Sequence, residues 1–262
     1  MKPARWMTLA AVAAVLVACA TSPMGRRQLL LMPAAQMDQM GLTAYSQLKQ
    51  QTPLSGNQKQ IAYVRCISNA LTAVLDTGGN WEINLFEDPT ANAFALPGGY
   101  MGVHSGLLNV ATNQHQLAAV IGHEIGHVLA QHSNERVSIE SATSTGLQLI
   151  QALSGEQTAE KQMVMAALGL GAQFGVAMPF SRKHESEADL IGLEIMAKAG
   201  FDPQQAVALW QNMQQASGGG GIEFLSTHPS GTTRIRELEK HMPKVMPLYQ
   251  QAVASGRTPR CG

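Results

Sequence analysis

The sequence predicts an α+β fold, mostly helical, with one small β-sheet. Three observations carry that reading. Apolar residues recur at helical spacing before residue 76 and again after Ser105; short segments with strand character lie between Trp81 and Val103; and strands do not alternate with helices, which argues against a parallel α/β plan. The 262 residues are 45% hydrophobic and only 14% charged, a globular composition with enough chain to bury a core. Formal net charge is zero, so no basic footprint points to nucleic acid.

At the start, Lys2 and Arg5 precede Met7 to Ala18, a mostly apolar run. Such a run is short for a membrane span and right for the apolar core of a signal peptide. It ends Leu16-Val17-Ala18-Cys19, which resembles the bacterial lipobox, where the Cys becomes the lipidated first residue after cleavage. Residues 1–18 are therefore expected to be a lipoprotein signal peptide, Cys19 the lipidation site, 19–27 a lipidated tether and 28–262 the folded domain. Ala20, rather than Asp, follows Cys19; by resemblance to Gram-negative lipoproteins this implies a periplasmic protein lipid-anchored in the outer membrane. Two cysteines remain, Cys66 and Cys261. In an oxidising compartment an even pair invites a disulfide, but two separate thiols stay open as the alternative.

Along the domain, Gln28 to Gln50 and Gln58 to Leu75 read as helices, the second stopped by Asp76-Thr77-Gly78-Gly79-Asn80. Trp81 to Phe86 reads as a strand with Trp81, Ile83 and Leu85 on one face. Asn92 to Leu96 and Tyr100 to Val103 follow as short strands around a Pro97-Gly98-Gly99 turn. Asn113, with Gln116 three residues on, suits a helix cap opening a helix through about His132. Val137 to Leu153 and Ala159 to Phe174 continue the helical part, the latter weakened by Gly169 and Gly171 and followed by Gly175. Ser181 caps a helix to Ala199, ended by Gly200 and Pro203; Pro203 to Ala216 is another, and Gly218 to Gly221 breaks the chain before its last segments.

His123-Glu124-Ile125-Gly126-His127 carries the chemistry. Two His four positions apart on a helix share one face, so both imidazoles can bind one Zn²⁺. Glu124 lies beside the pair, placed to take a proton from activated water. A third His in metzincin register is absent: Ala130 and Ser133 occupy those places, and His132 is off register. Downstream, Ser181 to Asp189 contains Glu185 and Asp189 at helical i and i+4, so one carboxylate can bind the metal while the other holds a ligand His. Spacing alone does not choose between Glu185 and Glu187 as the ligand.

HEIGH followed by ESEADLIG resembles metallopeptidase family 48, which includes prenyl-protein CaaX proteases, the heat-shock membrane protease HtpX and mitochondrial Oma-type proteases. The resemblance implies a zincin-like domain holding one zinc ion per chain through His123, His127 and Glu185, with Asp189 as the orienting acid and Glu187 dispensable. Asn92-Ala93-Phe94-Ala95 resembles the family's edge strand beside the cleft and is expected to bind substrate as an added strand. Ser226-Thr227-His228-Pro229 to Arg234 resembles its C-terminal His-Pro…Arg element. There His228 is expected either to donate to the oxyanion or to close the metal's open position and keep the enzyme latent. Arg234 is expected to be a second positive donor or a pin for the loop. Within the family, the sequence also resembles small periplasmic lipoproteins of the LoiP type, which lack membrane spans.

The expectation is a zinc endopeptidase with Glu124 as general base, acting on unfolded or misassembled envelope proteins. The alternative is a zinc-stabilised, largely non-proteolytic outer-membrane assembly factor with four protein ligands.

Overall fold

The computed structural model describes residues 19–76, 79–154, 180–217, 224–228 and 232–262. The expected signal peptide, the helix Ala159 to Phe174 with its glycines, and the Gly218 to Gly221 break lie outside the described residues.

Strands β1 (Cys19–Thr21) and β2 (Arg27–Leu29) pair antiparallel, with a turn at Gly25 in the left-handed region (φ 83°). The segment read as a tether is thus a hairpin, and the first helix starts later than Gln28. Helix α1 (Ala34–Gln51) begins behind Pro33, whose fixed φ suits the entry to a helix while the residues before it stay extended. Helix α2 (Gln58–Thr72) is capped by Asn57, whose side chain accepts from the Gln60 N–H. It ends three residues before the expected Leu75.

Strands β3 (Glu82–Phe86), β4 (Ala93–Leu96) and β5 (Tyr100–His104) form a three-stranded sheet in the order β3-β5-β4. The β4–β5 hairpin turns at Gly98 and Gly99, both at positive φ, while β3 joins β5 in parallel. Strand β4 is therefore an edge. One sheet face, with Ile83, Leu85, Ala93, Met101 and Val103, enters the main core against α2 and the helices that follow. The other face carries Phe86, Phe94 and Leu96, on which Tyr45 of α1 packs with its rings at 5.4–6.4 Å from Phe86, Phe94 and Tyr100. Tyr45 also donates to the Met101 carbonyl (2.9 Å), pinning α1 to the central strand.

A 3-10 turn (Ser105–Asn109) leads to α3 (Gln114–Leu129). The Asn113 side chain accepts from the N–H groups of His115 and Gln116, as the cap reading expects. Gln116 reaches back to the N–H of Thr112 rather than Asn113. Helix α3 stops at Leu129, short of His132, because Gln131 adopts a left-handed φ of 51° and the chain turns directly into α4 (His132–Ser154). Ser181 caps α5 (Arg182–Ala199), and Gly200 closes it at φ 84°. Then come α6 (Gln204–Ser217), the single turn α7 (Phe224–Thr227) and α8 (Thr232–Ala254). Among the described residues no helix is long and apolar enough to cross a membrane.

Helices α3 and α5 pack backbone against backbone, and two glycines permit it. A Cβ on Gly126 would stand 2.7 Å from the Ala188 carbonyl oxygen, and one on Gly192 2.7 Å from the backbone of Gly122 and His123. That contact brings the carboxylates of α5 up to the imidazoles of α3. Cys66 and Cys261 are joined by a disulfide, tying α2 to the C-terminal tail.

Candidate metal centre

Helix α3 is buried along almost its whole length, so His123, Glu124 and His127 are each only 2% exposed. The i, i+4 spacing turns Nε2 of His123 and Nε2 of His127 toward each other, 3.0 Å apart. Glu185, from the first turn of α5, faces both: Oε2 lies 3.5 Å from His123 Nε2 and Oε1 3.4 Å from His127 Nε2. His228, just past α7, brings Nδ1 to 3.1 Å from Glu185 Oε1 and 3.2 Å from His123 Nε2. One ligand atom from each of these four buried residues lies within 4.8 Å of every other. Between Glu185 and Glu187, which spacing left open, the fold turns Glu185 to this cluster. Glu187 faces His132, Ser22 and Arg26 instead.

His123 is held from behind by Asp189, whose Oδ1 is 2.9 Å from Nδ1. Arg234 is held by the carboxylates of α5. It donates to Asp189 from Nε (2.6 Å) and Nη2 (2.7 Å), pairs with Glu185 through Nη1 (2.7 Å) and lies 3.8 Å over the Trp210 ring. Its guanidinium thus serves both carboxylates of α5, with bidentate geometry on Asp189. His228 is fixed by rings: it stacks on Phe224 (4.4 Å) and Phe180 (5.5 Å), and its N–H donates to the Phe224 carbonyl (2.8 Å). Pro229 lies outside the described residues.

The electrostatics favour positive charge here. Burial opposes charging His123, but hydrogen bonds to Asp189 and Glu185 outweigh it and lift its pKa to about 9. Burial works against an ionised Glu185 as well, yet contacts with His123, His127 and His228 hold it far below the usual carboxylate range. Burial drives His127 well below the ordinary imidazole value, toward the neutral form that ligates metals. Three imidazole nitrogens and a carboxylate are the donor set that suits zinc or a similar divalent ion. Nε2 of His123, Nε2 of His127 and both oxygens of Glu185 converge on one buried point, where a bound cation would take the place of the protons they now share. The residues fit the metal.

Glu124 sits beside this cluster rather than in it. Its Oε2 accepts from the Ala95 N–H of edge strand β4 (3.0 Å), and its Oε1 is 3.3 Å from His228 Nε2. Burial pushes its pKa up, against the pull of His228 and His123. Of the expected substrate strand, Ala93 to Ala95 lie on β4, and Asn92 precedes it with its side chain accepting from the Ala93 N–H.

The profile of Peptidase family M48 matches residues 58–242, well over half of the chain. The chain belongs to peptidase family M48. Within it the chain is similar to the mitochondrial metalloendopeptidase OMA1 of Schizosaccharomyces pombe, 38% identical over 184 residues, covering 68% of this chain and 52% of that one. The human metalloendopeptidase OMA1 is 33% identical over 181 residues, covering 65% and 34%. The beta-barrel assembly-enhancing protease of Escherichia coli is 29% identical over 222 residues, covering 82% and 45%. The chain spans about half the length of the yeast relatives it matches.

The family's motif residues thus meet in space. Sequence reasoning passed over a second polar cluster behind His127, made of His132, Glu187, Arg26, Ser22, Glu135 and His184. Its one local signal was a His five residues after His127. The break at Gln131 lets that residue turn back onto the motif helix.

Proposed function

We propose that this chain is a zinc-dependent endopeptidase of the bacterial cell envelope, lipid-anchored at Cys19, that cleaves unfolded or misassembled envelope proteins and is held latent by His228. The observation that carries the reading is the convergence of His123, His127 and Glu185 beside a buried Glu124 that already hydrogen-bonds an edge strand. His123, His127 and Glu185 would hold the ion, which when bound supplies Lewis acidity that acidifies water and polarises a carbonyl.

Glu124 takes the proton of the attacking water and returns it to the leaving amine; its raised pKa brings it nearer the working pH of such a base. A peptide added antiparallel to β4 would be held by backbone hydrogen bonds, which suits unfolded substrates of varied sequence. A cavity of about 190 Å³ beside His127, lined by Met37, Pro97, Gly98, Val128 and Gln131 among others, offers room for a substrate side chain at the Leu96 end of that strand. His228, lying within the same donor group, would occupy the corner that water needs.

The envelope location rests on the lipobox-like Leu16 to Cys19, and the Cys66–Cys261 disulfide suits an oxidising space. The name of the Escherichia coli relative, which refers to β-barrel assembly, agrees with it; the OMA1 relatives carry names that point to mitochondria. A second reading has one observation in its favour. Four protein donors make a closed set, which suits a zinc-stabilised, non-proteolytic assembly factor.

Zinc content and casein cleavage of the purified protein, with and without a chelator, test both. The latent-protease reading predicts that His228→Ala cleaves faster than wild type, that the chelator abolishes cleavage, and that Glu124→Gln abolishes it while keeping about one zinc per chain. A fall in cleavage with His228→Ala would instead give His228 the oxyanion role. A wild type and His228→Ala that both bind zinc and never cleave would favour the assembly factor.

A further inference from the structure

His123 and His127 both turn Nε2 toward the shared site, so each carries its proton on Nδ1 when Nε2 offers a lone pair. His123 passes that hydrogen bond to Asp189, which Arg234 grips. Among the described residues, the partner of His127 at that nitrogen is an imidazole. Its Nδ1 lies 2.9 Å from Nδ1 of His132. To accept at Nδ1, His132 must hold its own proton on Nε2, and that nitrogen is 3.2 Å from Glu187 Oε2. Donation therefore runs from His127 through His132 to Glu187.

The far end of this relay is held by the N-terminal hairpin. Arg26 donates to Glu187 from Nε (2.8 Å), and the Ser22 hydroxyl donates to the other Glu187 oxygen. The two terminal nitrogens of Arg26 reach Glu135 at 2.6 Å each, and Gln28 donates to the same carboxylate (3.1 Å). His184, 3.1 Å from Glu135, stacks on His132 with ring centroids 4.5 Å apart. His132 is 0% exposed and Glu187 5%, so the relay is shielded from solvent. The two imidazoles thus have parallel supports: carboxylate and arginine from α5 and α8 for one, and His–carboxylate–arginine from α4, α5 and the hairpin for the other.

We propose that His132 and Glu187 are positioning residues for the metal ligand His127, and that Arg26 and Ser22 of the hairpin lock them. The inference rests on the metal-centre reading above. A partner on the far nitrogen fixes the tautomer and ring plane of a ligand His and raises its basicity, and losing it weakens metal binding by roughly 10–100-fold in typical sites. Glu187, which the family resemblance marks as dispensable, keeps an acceptor for His132 when replaced by Gln, but not when replaced by Ala.

The test is the zinc affinity of the whole purified chain, measured against a chromophoric competitor, together with the visible spectrum of the cobalt-loaded protein. Glu187→Ala and His132→Ala should each weaken zinc binding by roughly 10–100-fold and alter the cobalt spectrum. Glu187→Gln should stay closer to wild type than Glu187→Ala. The double variant should be about as weak as either single one, because both break the same relay. Arg26→Ala should weaken binding in the same direction. Reading the relay from both ends keeps the test intact if one variant does not fold. A network that only supports the fold would lower the melting temperature of the metal-free chain and leave zinc affinity unchanged, which would overturn the inference. Equal losses in Glu187→Gln and Glu187→Ala would overturn it too. A wild type that binds no zinc removes the metal-centre reading and this inference together, whereas tight wild-type binding with unchanged variants removes the inference alone.

Discussion

Arg234 shows how much of the centre depends on groups that hold the donors in place. It joins Asp189, which orients His123, to Glu185, which faces both imidazoles, and it is 5% exposed. Lys at this position keeps a charge but loses the planar fork that serves both carboxylates. Arg234→Lys is therefore expected to weaken zinc binding, and Arg234→Ala to destabilise the chain by about 3–5 kcal/mol, because a buried carboxylate pair loses its counter-charge; urea unfolding measures this. At this scale the sequence was partly legible. His123, Glu124 and His127 can be read directly because a helix puts i and i+4 on one face. Glu185 needed the family resemblance, since Glu187 shares its helix turn. The contacts of Glu187 were not legible for a physical reason: its ion-pair partner Arg26 lies 161 positions away, and no local pattern joins them.

The elements matter through how closely they meet. Gly126 and Gly192 let α3 and α5 approach until backbone meets backbone, and the carboxylate-to-imidazole distances follow from that contact. Gly192→Val should separate the helices, weaken zinc binding and cost about 1–3 kcal/mol or more of stability; a metal titration together with a melting curve reads both. On the far side of the sheet, Tyr45 fastens α1. Burial raises its pKa to about 12, with the Asn84 hydrogen bond opposing the rise. A raised value means the neutral form is favoured in the folded state. Its contribution is therefore whole below about pH 10 and is lost as pH climbs toward about 12. Tyr45→Phe should flatten the fall of melting temperature over that window and, at neutral pH, cost about 1 kcal/mol for the lost hydrogen bond. Element types were legible from period and caps, as Asn113, Ser181 and Gly200 show. Less legible were the start of α1, where the hairpin claims Arg27 to Leu29, and the parallel pairing of β3 with β5, which depends on chain returning from β4.

For the molecule as a whole, the C-terminal tail works as a strap. Gln114, at the start of the motif helix, donates to the Pro259 carbonyl (2.8 Å) and accepts from the Cys261 N–H (2.9 Å), and the disulfide anchors the same tail to α2 across a separation of 195 residues. A loop that long gives chain-entropy stabilisation of up to about 5 kcal/mol. Cys66→Ser with Cys261→Ser should lower the melting temperature markedly, and a reductant should do the same to wild type but not to the variant. Hairpin, sheet, helix pair and tail all bear on one point, where donors from α3, α5 and the segment after α7 converge. The most direct measurement is the zinc stoichiometry of wild type and Glu185→Ala, determined on metal-free chains titrated with Zn²⁺ against a chromophoric competitor. One equivalent bound tightly by wild type and lost or greatly weakened in Glu185→Ala is the predicted result. Undiminished binding by Glu185→Ala would contradict the account.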